Sequence, residues 1–160
     1  NYWWFLWFLW ESDFLETLRA QYSRGLHVLD AGAGLGVNSI LIAKLGHSVI
    51  AFDNGACQTE HMALNVLRND VGSQVSVLRA DVENFDEWAG ALIGNTSGRH
   101  FDVILACGMA YLPMRVFARL LDLIELVADE DFVWPLECGR DPFDIEDAQA
   151  GNLRLAMQRR

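Results

Sequence analysis

Hydrophobic positions along the chain fall into two alternating kinds of run. Short, nearly continuous apolar stretches rich in β-branched residues occur at 27–31 (HVLDA), 48–53 (SVIAFD), 74–80 (QVSVLRA), 101–107 (FDVILAC) and 131–138 (DFVWPLEC). Continuous apolar character of this length predicts strands covered on both faces, as in a parallel sheet. Between them lie segments of helical period at 37–45, 57–69, 84–93 and 113–128. The last opens on Pro113 and repeats Val116, Phe117, Leu120, Leu121 and Ile124 at helical spacing, so proline occupies the first turn, where its missing N–H costs nothing. Further helices are predicted over 12–22 and 143–159, the second with acids early and Arg154, Arg159 and Arg160 late, in keeping with the helix dipole. Strands alternating with helices predict a doubly wound α/β sheet with helices on both faces. Such sheets take ligands at the carboxyl ends of their strands, where the winding direction switches. The loops after each strand are therefore the candidate site.

Composition narrows the class. At 160 residues, 52% apolar and 21% charged, the chain suits one globular domain. We divide it into an aromatic segment and helix (1–24), a core (25–140) and a C-terminal helix (141–160). Twelve basic against twenty-two acidic residues give a net charge of −10, which repels phosphate backbones and argues against nucleic acid as a partner. A basic protein or peptide, or a neutral small molecule, fits that field better. Cys57, Cys107 and Cys138 are widely spaced, with no C-x-x-C pair. No disulfide framework is indicated, and a reducing, cytoplasmic setting is expected. His27, His47, His61 and His100 are scattered without ligand spacing, so no metal is expected. Residues 2–10 (YWWFLWFLW) form nine consecutive apolar positions. That falls short of the roughly 20 needed to span a bilayer. The segment is expected to pack on the domain, with interfacial membrane contact as the alternative.

The chemistry concentrates after the first three strands. The first leads into Asp30-Ala31-Gly32-Ala33-Gly34-Leu35-Gly36. Glycines there permit a sharp turn and close ligand approach, and the helix that follows aims its amides into the same space. A dinucleotide fingerprint would need glycine at position 37, which is Val37. An acid at Asp30 also suits a cation and repels a pyrophosphate. Asp53 ends the second strand, twenty-one positions after Gly32. It can accept two ribose hydroxyls, or serve as a turn residue in Asp53-Asn54-Gly55. Asp81 ends the third strand and is equally compatible with a solvated turn.

The pattern D-x-G-x-G-x-G closely resembles the first motif of class I, Rossmann-like methyltransferases. The strings VLDAGAGLG, NVLRN (65–69) and FDVILACGMAY, with Trp10 ahead of the first helix, are similar to the seven-strand protein-lysine methyltransferase group known as methyltransferase family 16. The resemblance implies S-adenosylmethionine as cofactor, bound by Trp10, Asp30, Gly32, Gly34, Gly36, Asp53, Asp81 and Cys107. It also implies contact of Asp81 with the adenine amine. In the group an acid-x-x-Tyr motif follows the fourth strand. Tyr111 matches the tyrosine and is the catalytic candidate, its alternative role being an aromatic cap on the following helix. Gly108 stands where the acid would be. Glu137 and Arg140 resemble a pair found after the fifth strand. After Cys138 the pattern predicts one helix and no strand, so the terminal antiparallel hairpin of the fold is expected to be missing. The implied function is methyl transfer to a protein lysine amine. The alternatives are a degenerate, partner-binding relative and a small-molecule methyltransferase.

The aromatic segment yields a first test. Trp3, Trp7 and Trp10 share one helical face, leaving Trp4, Phe5 and Phe8 on the others, so part of the run is expected to stay exposed. Deleting residues 1–9 should improve solubility and spare binding of S-adenosylhomocysteine in calorimetry, whereas Trp10→Ala should weaken it. A deletion that abolishes folding would make the segment part of the core.

Overall fold

The computed structural model describes residue 20 and residues 24–95, 100–107, 109 and 112–133. Outside the described residues lie the aromatic run with Trp10, most of the helix expected over 12–22, Gly108, Tyr111, Glu137, Arg140 and the C-terminal helix. The elements run β1 (His27–Ala31), α1 (Val37–Lys44), β2 (Ser48–Asp53), α2 (Ala56–Arg68), β3 (Val75–Arg79), a 3-10 turn (Val82–Asn84), α3 (Phe85–Asn95), β4 (Phe101–Leu105), α4 (Met114–Val127) and β5 (Ala128–Val133).

The five strands form one sheet in the order β3-β2-β1-β4-β5, and every pairing is parallel. β1 is central and carries four buried residues in five, while all of β4 is buried. That is why both read as nearly continuous apolar runs rather than alternating ones. The winding runs outward from β1 through β2 to β3, then restarts on the other side of β1 with β4. The switch point therefore lies between β1 and β4.

Two apolar layers sandwich the sheet. One joins Ile42 and Ala43 of α1 and Met62 and Val66 of α2 to Val28, Val49, Ala51 and Leu105. The other joins Phe85, Ala89 and Leu92 of α3 and Leu120, Leu123 and Ile124 of α4 to Leu29, Phe52 and Ile104. The doubly wound α/β architecture with helices on both faces is thus observed. β1 and β2 occupy the predicted residues. β5 begins three positions earlier than the apolar pattern indicates, directly where α4 stops. Its pairing with β4 is irregular, linking Phe101 to Ala128 and Val103 to Val133 across a register shift. The strand opens on Ala128 followed by the acids Asp129, Glu130 and Asp131, which an apolar count passes over.

At the edge opposite the carboxyl ends, Asp102 of β4 is fully buried. Its carboxylate accepts from both terminal guanidinium nitrogens of Arg24, at 2.8 Å and 2.6 Å, and from the His27 backbone N–H at 2.7 Å. This fork ties the chain entering β1 to β4 and lowers the cost of a buried charge. His27 also stacks on Phe101, with ring centroids 4.3 Å apart. Removing the fork while leaving the buried carboxylate should be costly, although the half-exposed arginine would admit some water. Arg24→Ala is expected to lower stability by about 2 kcal/mol, and Arg24→Lys by less. Urea denaturation of the two variants checks this, and wild-type stability in Arg24→Ala would contradict it.

Candidate functional site

Gly32, Gly34 and Gly36 all adopt left-handed φ, at 67°, 56° and 78°, a region that β-carbons make expensive. Two of them are also closely overlaid. A β-carbon on Gly36 would lie 2.6 Å from Cγ of Met62 in α2, and one on Gly32 would lie 3.0 Å from Sδ of Met109. The loop therefore needs glycine for conformation and for space.

The loop is anchored from β2 and α2. The Ala33 N–H donates to the Phe52 carbonyl at 2.9 Å. The Gly34 N–H donates to Oδ2 of Asp53 at 3.0 Å, and the Gly55 N–H donates to Oδ1 of the same carboxylate at 2.9 Å. Asn65 of α2 donates from Nδ2 to the Leu35 carbonyl at 3.1 Å. Asp53 is thus a clasp between the glycine loop and the turn into α2. Each oxygen uses one lone pair and retains another for a ligand hydroxyl.

Asp30, at the end of β1, is 1% exposed. The Ser39 hydroxyl, in the first turn of α1, donates to its Oδ2 at 2.6 Å. Its Oδ1 is buried and has no hydrogen-bond partner. Burial pushes the Asp30 carboxyl up from the ordinary 3.8 to about 6; the Ser39 hydroxyl and amide pull it back, and the charge of Asp53 adds to the rise. A buried carboxylate oxygen without a donor is rare in folded proteins. Oδ1 of Asn38, also in the first turn of α1, is likewise buried without a partner.

Asp81 follows β3. Its Oδ1 accepts from the Glu83 N–H at 3.0 Å and caps the 3-10 turn, while Oδ2 accepts from Asn54 at 3.4 Å. Those partners are the ones a turn residue would have, and they bring the β2 and β3 loops together. Trp88 of α3 donates from its indole nitrogen to the Asp81 carbonyl at 2.9 Å and packs against Phe52 with centroids 4.9 Å apart.

The structure therefore brings Asp30, Gly32, Gly34, Gly36, Asp53 and Asp81 together along one sheet edge. Cys107 follows β4 and is buried in the apolar layer beside Val28 and Leu105. Trp10 and Tyr111 lie outside the described residues. Ser39, Asn38, Met109 and Trp88 join the site without any sequence motif pointing to them. Only the position of Ser39, nine residues after Asp30 on a predicted helix start, could have suggested its contact.

Comparison with known proteins agrees with this geometry. The chain is 44% identical over 63 residues to a ribosomal protein L11 methyltransferase of Thermosipho melanesiensis, a stretch covering 38% of this chain and 24% of that protein. Its fold matches PKMT2 of Rickettsia typhi in complex with AdoHcy, with a TM-score of 0.56 and 19% identity over 68% of this chain and 20% of the other. It also matches magnesium protoporphyrin IX methyltransferase of Synechocystis with bound SAM, with a TM-score of 0.55 and 20% identity over 74% of this chain and 52% of the other. At these identities the two structures speak for the fold. The chain spans about a quarter of the length of the first relative and a fifth of that of PKMT2. The lysine methyltransferase family matches residues 5–138, most of the chain including the whole candidate site, and the protein belongs to that family.

Proposed function

We propose that this chain binds S-adenosylmethionine along the carboxyl edge of β1, β2 and β3 and transfers its methyl group to the side-chain amine of a protein lysine. The observation that carries this reading is the unpartnered, buried Oδ1 of Asp30 beside a left-handed glycine loop. A buried anionic oxygen selects a cation, and the cofactor's amino-acid end carries an ammonium. When bound, the cofactor supplies a methyl group on a sulfonium sulfur, which leaves as a neutral thioether.

The remaining roles follow the strand ends. The glycine loop lets ligand approach the backbone closely, without side chains in the way. Asp53 accepts from the two ribose hydroxyls through the lone pairs its backbone clasp leaves open. Asp81 accepts from the adenine amine, with its backbone steadied by Trp88, and Trp10 borders the adenine. We assign Cys107 and Tyr111, which follow β4, to the side where cofactor and acceptor meet, with Tyr111 orienting the acceptor amine. An amine attacks only after losing its proton, and a negative site edge favours capture of the cationic lysine beforehand. A net charge of −10 suits a basic protein substrate and disfavours nucleic acid. We propose a cytoplasmic setting from the cysteine spacing; membrane contact through residues 2–10 is the competing possibility. No described helix is long and apolar enough to cross a membrane.

Two experiments test the reading. With labelled cofactor and a cell lysate, label should enter protein. Label confined to small molecules would move the acceptor class, label in nucleic acid would contradict the charge argument, and none at all would favour a partner-binding domain. In calorimetry, the chain should bind S-adenosylhomocysteine and not NAD. Asp53→Ala should weaken that binding by about 2 kcal/mol, roughly thirtyfold, because two hydroxyls lose their acceptor.

Asp30 gives a pH-dependent prediction. Its folded value of about 6 lies above the ordinary 3.8, so the folded chain holds the proton more tightly than the unfolded chain. Stability from this group is therefore greatest at low pH and falls as pH rises through the window between the two values. The penalty at pH 7 is on the order of 3 kcal/mol. Asp30→Asn should accordingly melt at higher temperature than wild type at pH 7 without cofactor, yet bind S-adenosylhomocysteine more weakly. A lower melting temperature would show that the buried charge is already compensated.

A further inference from the structure

Ser39 belongs to no motif, yet its side chain is the donor that fixes the most buried acid of the site. It is fully buried in the first turn of α1. Its hydroxyl lies 2.6 Å from Oδ2 of Asp30, a distance typical of a hydroxyl bonded to a carboxylate. The two oxygens of Asp30 are therefore unlike: one is satisfied within the protein and the other has no partner.

The surroundings of Asp30 offer little to replace that hydroxyl. Its cross-strand neighbours are Ala51 on β2 and Leu105 on β4, both apolar and buried. From β2, the charge of Asp53 opposes its ionisation. From the loop after β4, the Cys107 thiol belongs to the apolar layer on the same side of the sheet. From α1, Ser39 acts on the carboxylate through hydroxyl and backbone amide, both favouring the charged form. The helix N-terminus adds its dipole in the same sense.

We propose that Ser39 is a positioning residue for the cofactor: by holding Oδ2 of Asp30 with its hydroxyl, it orients the unpartnered Oδ1 as an acceptor for the ammonium of the cofactor's amino-acid end. The proposal rests on the assignment of this site to S-adenosylmethionine and adds a residue whose contribution is confined to one end of that ligand. Without the hydroxyl, the carboxyl loses a donor, can rotate, and takes up a proton at higher pH. Each change weakens its hold on a cation. The nucleoside end, which meets Asp53 and Asp81, is left as it was.

The test compares two ligands that share the nucleoside and lack the sulfonium. S-adenosylhomocysteine carries the amino-acid end, and 5′-methylthioadenosine does not. Calorimetry on the full chain is run for wild type, Ser39→Ala and Ser39→Cys between pH 5 and 7.5, below the range in which the ligand's own ammonium titrates. Cysteine fills the space and donates only weakly, so it separates the hydrogen bond from the packing. For wild type, affinity for S-adenosylhomocysteine should rise as pH passes about 6 and then level. At pH 7, both variants should bind it about tenfold more weakly, with the rise displaced to higher pH. Affinity for 5′-methylthioadenosine should stay within about twofold at every pH. Equal loss for both ligands would make Ser39 a structural support of the loop and overturn the proposal. Full restoration by cysteine would do the same, since packing alone would then suffice. A wild-type chain that binds neither ligand would remove the site assignment itself, and the proposal with it.

Discussion

A fully parallel sheet delivers the carboxyl ends of all its strands to one edge, and every other feature of this site depends on that constraint. Because β2 and β4 lie on opposite sides of β1 in the sheet, the connections of the described residues diverge at the carboxyl end of β1. The glycine loop follows β1 at that point. Among the described residues it is held from the β2 and α2 side, by the Phe52 carbonyl, the Asp53 carboxylate and Asn65 of α2. Anchorage from β2 leaves the β4 side to Met109, whose flexible side chain meets Gly32. In the proposed reaction the rigid half of the site faces the nucleoside, and the adaptable half faces β4, where the acceptor enters.

Much of this was legible in the residues. β1 and β2 could be read to the residue, because strands buried on both faces leave a nearly continuous apolar record. The glycines and the three acids at Asp30, Asp53 and Asp81 were legible because loop conformation and strand-end charge are local properties. The start of β5 was not legible. A strand last in the described order is defined by backbone pairing on one side, and this one pairs at Ala128 and Val133 with three acids directly after Ala128. Nor were the partners of the acids. That Asp53 spends its carboxylate on Gly34 and Gly55, or that Trp88 steadies the Asp81 carbonyl, depends on how two loops approach in space. The 3-10 turn after β3 has the same origin: Asp81 caps it with a side chain that periodicity does not weigh.

The site also concentrates what a stable core avoids. Asp30 and Asn38 each carry a buried oxygen without a partner, and three alternate residues of the loop, Gly32, Gly34 and Gly36, sit at positive φ. Unsatisfied polar atoms and strained backbone are tolerated where the surrounding structure over-determines them. Here the two apolar layers and the Arg24–Asp102 fork do so from the far edge of the sheet. The division is physical: packing and a half-buried ion pair secure the amino-terminal edge, while the carboxyl edge keeps its polar groups open.

The charge of Asp30 resolves a tension in using a helix N-terminus for a cationic ligand. An exposed N-terminus with free amides attracts anions, and a glycine loop ahead of it normally receives phosphate. In this chain the first turn of α1 meets an anion that belongs to the protein, since the Ser39 hydroxyl and amide both act on Asp30. The dipole is thereby answered internally. One carboxylate oxygen serves the helix, and in the proposed function the other accepts positive charge. In the proposed function, a single acid at the end of β1 converts a phosphate cradle into a cation cradle without altering the glycine loop. It does so at the expense of burying a charge whose second oxygen has no donor until a ligand provides one.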